Sequence, residues 1–347
     1  MKVNLFAAGA LASLVSLIAS PGAAAQEGTL EPQCADSPRL LQDACQKSAD
    51  VFNLVAPQLG PGIAGGNPSF GGEGALGRLG AWSVGARVNF VRGRLPRFTG
   101  VRLSTGGAQS TDFQTAETTV PVPTADIALG LFGGIRLGAG VRVGAMDALA
   151  SLTYVPAYHE EDVSVSTTGR PVEFGYGARL GLLQESRFLP GVAVSYLRRD
   201  IPESEVLGRV STTSGGERND TVGVTGIRTE THAWRTVASK RIAWLGVAVG
   251  AGQDRYSSQG SLRGVLNEST IVGSVRLEAE EYDFRQRQTR TSYFADLSLH
   301  LPRVTLVGEV GQVRGGSVPR TFNAFDGSHT RAEENVTYFA AGARLRF

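Results

Sequence analysis

Residues 336–347 read VTYFAAGARLRF. Successive side chains of a β-strand point to opposite faces. Thr337, Phe339, Ala341, Ala343, Leu345 and Phe347 therefore share one face, and Tyr338, Arg344 and Arg346 share the other. One face is almost wholly apolar, while the other carries two Arg. A strand closing a membrane barrel, with lipid outside and a polar lumen inside, shows this alternation up to a final aromatic residue.

The same split recurs upstream. Trp82, Val84, Ala86, Val88 and Phe90 oppose Ser83, Arg87 and Asn89. Phe174, Tyr176, Ala178, Leu180 and Leu182 oppose Glu173, Gly177 and Arg179. Tyr293, Ala295, Leu297, Leu299 and Leu301 oppose Asp296, Ser298 and His300. Val304, Leu306, Gly308 and Val310 oppose Arg303, Thr305 and Glu309. Shorter versions occur at 125–132, 148–154 and 191–199. Over 227–238 the faces are ambiguous, because His232 and Trp234 share one with Glu230. Leu245, Val247, Val249 and Ala251 face away from a column of Gly and Ala.

Connections alternate in length. Short joins are expected at 183–190, at Lys240-Arg241 and at Leu301-Pro302-Arg303. Long polar stretches lie between them, at 93–123, 157–171, 200–224, 256–288 and 315–335. Short turns on one side and long loops on the other are the asymmetry of outer-membrane barrels. The reading is all-β: a transmembrane antiparallel up-and-down barrel of about ten strands. Strand-like patches at 98–103 and 270–280 leave room for about 12 to 14.

The N-terminal part differs. Residues 1–25 hold one Lys, an apolar run from Leu5 to Ile18, Pro21-Gly22 and then three Ala, the layout of a cleaved secretory signal. Gln26 is the expected mature N-terminus. Cys34 and Cys45 are the two Cys of the chain, and in an exported protein such a close pair suggests one disulfide. Asp36-Ser37-Pro38 reads as a helix start, and Leu41, Cys45, Phe52 and Val55 recur at helical spacing until Pro57 and Gly60. A short amphipathic helix is expected over 36–56, followed by a Gly-rich connector. The organisation is thus 1–25 signal, 26–80 helix and plug or linker, and 81–347 barrel. The 26–80 segment is expected to dock at or inside the periplasmic opening.

Composition excludes some classes. The 347 residues carry a formal charge of +2, which is no basic footprint for nucleic acid. Beyond the signal, no apolar stretch approaches the length of a spanning helix. Gly-rich runs such as GPGIAGG do not follow a strand and open a helix, so they carry no dinucleotide fingerprint.

The export signal, the repeated amphipathic strands, and Phe339, Ala341, Ala343, Leu345 and Phe347 make the chain resemble bacterial outer-membrane β-barrel proteins. That resemblance implies outer-membrane localisation, lipid partners and recognition of Phe339, Leu345 and Phe347 by the barrel assembly machinery. Gly65-Gly66-Asn67-Pro68 is loosely similar to the Asn-Pro near the hatch of the long-chain fatty acid transporter family, which would imply transport of hydrophobic compounds.

No catalytic or cofactor site emerges. Ser298 and His300 lie two apart on one strand with no nucleophile elbow, and His300 reads as a lumen-rim hydrogen bonder. His159-Glu160-Glu161-Asp162 reads as a solvated acidic loop. No metal or cofactor is expected. The informative set is the polar face: Arg87, Asn89, Asp126, Glu173, Arg179, Arg199, Asp296, His300, Arg303, Glu309, Arg344 and Arg346. Both signs of charge in a confined space predict ion pairs across the lumen. The functional expectation is a monomeric passive channel for small solutes, partly occluded by the N-terminal segment. The alternatives are a hydrophobic-compound transporter and a structural or adhesive barrel with functional outer loops.

Overall fold

The computed structural model describes residues 29–347 except 65, 69, 71–73, 138–140, 160–162, 213–219, 271–272, 279–281, 317–319 and 330–334. The signal segment, Gln26, Gly65 and the acidic run 160–162 lie outside the described residues.

Ten antiparallel strands form the closed barrel. They are β1 Trp82–Pro96, β2 Thr115–Phe132, β3 Ala145–Tyr154, β4 Val172–Leu183, β5 Gly191–Asp200, β6 Asp220–Ile242, β7 Leu245–Thr270, β8 Asp283–His300, β9 Val304–Arg314 and β10 Val336–Arg346. Each pairs with its neighbours in sequence, and β1 pairs with β10 from Ser83↔Arg346 to Val91↔Tyr338. Closure leaves no barrel edge, which a lipid environment demands. The observed number is ten. The patches at 98–103 and 270–280 add no wall strand: Arg102–Leu103 pairs with 211–212, and Gly273–Glu278 continues the β7 ladder above the barrel.

The outer wall is an apolar belt. Ile127, Leu131, Val249, Leu297 and Val310 are all about half exposed. Aromatic residues rim it at both ends. At the short-turn end, Trp82 stacks on Phe347 at 4.1 Å. At the long-loop end, Phe90 stacks on Phe339 and Tyr196 packs on Trp234, each at 4.8 Å. Among the described residues no helix is long and apolar enough to cross a membrane.

Strands β6 to β8 run far beyond this belt. The alternation of apolar and polar residues fades there because, above the lipid, both faces of a strand can be polar. This is why 256–288 read as loop while most of it is strand. The β6–β7 turn falls at Ala243-Trp244, three residues later than expected, with Ala243 at φ +55°. Strands 204–212 and 163–167 pair outward from the top of β6, extending the wall above the membrane.

Two helices precede the barrel: α1 Pro32–Ala35 and α2 Arg39–Ala64. The Cys34–Cys45 disulfide ties α1 onto α2, with both Cys fully buried. Helix α2 continues past Pro57, through Pro61. A helix-interior Pro removes one backbone hydrogen bond, at about 3 kcal/mol. The carbonyl that Pro61 leaves free is that of Pro57, and Arg290 of β8 donates to it at 3.2 Å. That replacement bond lets the helix run on through Pro61.

Candidate functional site

Helix α2 is about 39 Å long at 1.5 Å per residue, and it sits in the long-loop half of the molecule. Phe52, Leu54 and Val55 pack in one cluster with Phe98, Phe113, Val222, Ile227, Leu262, Phe284 and Phe325. These partners come from the long connections and from the strand tops above the belt. The segment thus docks from the long-loop end, not at the periplasmic mouth, because the apolar surface that matches Phe52 and Val55 is there. Residues 43–52 are buried on every side. Gly60 permits close approach to the wall, since a Cβ there would collide with the Tyr256 ring.

Polar residues of α2 fasten the outer loops. The Asp43 carboxylate accepts from the backbone N–H of Ser104 and Gln109 and pairs with Lys47 at 2.5 Å. The Asp50 carboxylate accepts from the backbone N–H of Asn323 at 2.8 Å and from its side-chain amide at 2.6 Å. Burial pushes the Asp50 carboxyl up to about 6, against the lowering effect of those Asn323 bonds. Burial likewise pulls the Lys47 ammonium down, and Asp43 pulls it back up.

Below α2 the chain continues down the lumen, held by wall side chains. Glu309 accepts from the N–H of Gly66 and Asn67 at 2.9 and 2.8 Å. Asn67 donates to Asp296 at 2.5 Å, and Arg87 donates to the Asn67 carbonyl at 3.1 Å. Arg235 donates to the Gly66 carbonyl at 3.2 Å and is clamped by Asp254 through contacts of 2.5 and 3.1 Å. Lower still, Asp147 accepts from the Leu76 N–H and pairs with Arg179 at 2.6 Å. Arg346 donates to the Leu76 carbonyl at 2.9 Å. Arg87 and Arg199 share Asp126, at 3.0 and 3.1 Å, and Asn89 donates to the Gly62 carbonyl.

Two residues of the sequence-derived set, Arg303 and Glu173, stand elsewhere. Arg303 is exposed in the β8–β9 turn, outside the lumen, because the two-residue reversal ends the alternation before it. Glu173 lines a half-exposed cleft at the outer rim with Asp200, Glu203 and Arg228. His300 contacts Ser298 and Thr305 near the short-turn end. Arg344 is buried on the lumen face. Sequence reasoning missed Asn67 as an anchor, and also Asp147, Arg235, Asp254, Asp43 and Asp50. Asp147 lies one residue before the 148–154 alternation, and Arg235 lies within 227–238, on the face opposite His232 and Trp234, so resolving that ambiguity would have found it.

The decisive property is how little of the lining meets water. Arg87, Asn89, Arg179, Arg199, Arg235, Asp254, Asp147, Ser151, Thr231 and Ser292 are all 3 % exposed or less. The wall of a water-filled pore is wet along its length, and this one is dry. The polar lumen inside an apolar belt with two aromatic rims decides the setting. The protein is an outer-membrane β-barrel.

No family model matches the chain, and no curated protein matches it. Among solved structures it is similar to the outer membrane protease OmpT of Escherichia coli, at 10% identity and a TM-score of 0.40, over 77% of this chain and 97% of that one. It is also similar to the translocator domain of the autotransporter NalP of Neisseria meningitidis, at 10% identity and a TM-score of 0.36, over 77% and 88% of the two chains. The β domain of the Bordetella autotransporter BrkA gives 14% and 0.34, over 77% and 100%. At these scores none of the three assigns an activity to this chain. No finding ties it to the fatty acid transporters; Asn67, whose pairing with Pro68 suggested them, serves as an anchor in the lumen.

Among the described residues no group of three or more His, Cys, Asp and Glu could hold a metal ion. His159 contacts Ser164 at 2.8 Å.

Proposed function

We propose that this protein is a lumen-sealed outer-membrane barrel whose work is done on its outward-projecting strands and loops, as a surface-binding or structural protein. The single observation that carries this reading is the dry lumen, in which the wall charges grip the backbone of Gly66, Asn67 and Leu76. Charges meant for permeating solutes would face water; here they are spent on the chain's own N–H and C=O groups. The tall β6–β8 wall and the loops that Asp43 and Asp50 fasten support a rigid outward platform.

Passive conduction of small solutes is the second reading. It requires a state in which Gly66, Asn67 and Leu76 leave the lumen, and it is favoured by the two-signed charge that withdrawal would bare. An apolar cavity of about 80 Å³ between α2 and the wall, lined by Val55, Leu59, Val91, Leu95 and Val122, is too small to favour the hydrophobic-transport alternative in this state.

Whole-cell assays separate the readings. A strain lacking the protein, a wild-type strain and a strain in which residues 203–227 are replaced by a short turn are compared. The platform reading expects equal uptake of a small hydrophilic antibiotic in all three. It also expects surface attachment in the wild type alone. Uptake that rises with wild-type expression would overturn it.

A further inference from the structure

On the lipid-facing side of β7 and β8 the apolar columns end abruptly in arginine. Going up β7, Val247, Val249 and Ala251 give way to Gln253 and Arg255; going up β8, Leu297, Ala295 and Tyr293 give way to Thr291, Thr289, Arg287 and Arg285. Arg255, Arg285 and Arg287 are all exposed on this outward face. Among the described residues none of the three side chains has a hydrogen bond or ion pair. On the neighbouring strands the outward charges are matched: Arg198 meets Glu230 at 2.8 Å, and Arg228 meets Glu203. Arg314 of β9 lies over the Tyr293 ring at 6.0 Å and donates to Gln312.

The register places these cations together. Arg255 pairs with Thr289, so Arg287 is its diagonal neighbour, about 7–8 Å away. Like charges this close repel unless a counter-charge is present. Between them opens a cleft of about 570 Å³, lined by His232, Arg255, Ser257, Arg287, Thr289 and Gly316. His232 is held by the Tyr196 hydroxyl at 2.6 Å and by Glu230 at 2.9 Å, so it closes one side of the cleft in a fixed pose. Glu230 and Asp200 bound the site on the β5 side and confine an anion to β7 and β8.

Height above the lipid identifies the ligand's chemistry. Arg255 is four residues beyond Ala251, about 13 Å along the strand, or ~10 Å along the membrane normal for a strand tilted by about 40°. That is headgroup height. A guanidinium binds phosphate through paired N–H donors. The apolar columns directly beneath call for acyl chains attached to that phosphate. We propose that this face is a binding site for a phosphorylated glycolipid of the outer leaflet, with its phosphates between Arg255 and Arg287 and its chains against Val249, Ala251 and Tyr293. The bound lipid neutralises the patch and fixes the tall β7–β8 wall to the membrane surface.

The test titrates the full-length protein in neutral detergent with an acylated diglucosamine bisphosphate and follows the fluorescence of half-exposed Trp234 and lipid retention by native mass spectrometry. Arg255→Glu/Arg287→Glu should weaken binding by at least about tenfold, equivalent to ~1.4 kcal/mol. Arg209→Glu, the same exchange at a single exposed residue of the 204–212 strand, should leave binding unchanged. The milder Arg255→Gln/Arg287→Gln pair should also weaken it, and unaltered heat-modified gel mobility of each variant confirms that the barrel is intact. Wild-type binding by both double variants would overturn the proposal. So would equal binding of the dephosphorylated lipid. Equal binding of the deacylated sugar bisphosphate would overturn it too, by making the ligand a soluble anion.

Discussion

Asp254→Ala offers the sharpest view of the lumen's energetics. The Arg235 and Asp254 side chains are 1 % and 0 % exposed, and two contacts of 2.5 and 3.1 Å join them. Tyr256 adds a third bond to the same carboxylate at 3.0 Å. Removing Asp254 leaves the Arg235 guanidinium in a dry interior without its carboxylate partner. Breaking a buried pair in this way costs about 3–5 kcal/mol, whereas an ion pair in a water-filled pore would contribute about 0–1 kcal/mol. The magnitude therefore reports directly on whether the lumen is sealed. Arg235→Met alone should also destabilise, by stranding the carboxylate. The double variant should cost less than the sum of the two, with a coupling of about 1–3 kcal/mol. The assay is denaturant unfolding in lipid vesicles, followed by tryptophan fluorescence and heat-modified gel mobility. Single-variant costs below about 1 kcal/mol, with additive behaviour in the double, would refute a dry lumen.

Leu297→Arg puts a charge on the lipid face at mid-belt, where Leu297 is 57 % exposed, and should cost roughly 2–4 kcal/mol, while Gln259→Arg, on the outward face above the belt, should be near neutral in the same unfolding assay. Asp50 is held with its carboxyl raised to about 6, so docking of the loop at Phe322-Asn323 gains stability as pH falls from 7.5 towards 5 and loses it as pH rises through 6. Hydrogen exchange at 320–329 should show that gain, and Asp50→Asn should abolish the pH dependence; unchanged protection across the range would contradict it. Gly311→Val forces a side chain into the Tyr338 ring and should cost about 1–3 kcal/mol by overpacking, read as a lower thermal midpoint.

The barrel wall was legible because lipid imposes one rule on every strand: apolar out, polar in. Wherever that rule operates, as in Trp82–Phe90 or Tyr293–Leu301, the alternation located strand and face together. Above the belt the rule lapses, so the tops of β6, β7 and β8 read as loops. The N-terminal segment was legible in part. Leu41, Cys45 and Phe52 mark a helix, but Pro57 and Gly60 read as stops, because the Arg290 that binds the Pro57 carbonyl lies 233 positions away. The two-signed lumen charges were visible as residue types. Their ligand was not, because Glu309, Arg87 and Arg235 bind backbone N–H and C=O groups of residues 66–67, and backbone groups carry no sequence signature. Arg303 was misplaced by one turn for a simple reason: parity arguments fail at the residue where the chain reverses.

The central claim, a lumen sealed by the chain's own N-terminal segment, is tested most directly by planar-bilayer conductance of the refolded full-length protein at neutral pH, beside a variant lacking residues 39–77. The sealed barrel predicts a flat baseline for the full chain and steady openings for the deletion, which bares Arg87, Asp126, Arg235 and Asp254 to water. Steady conductance by the full-length protein, at a level the deletion does not raise, would contradict it.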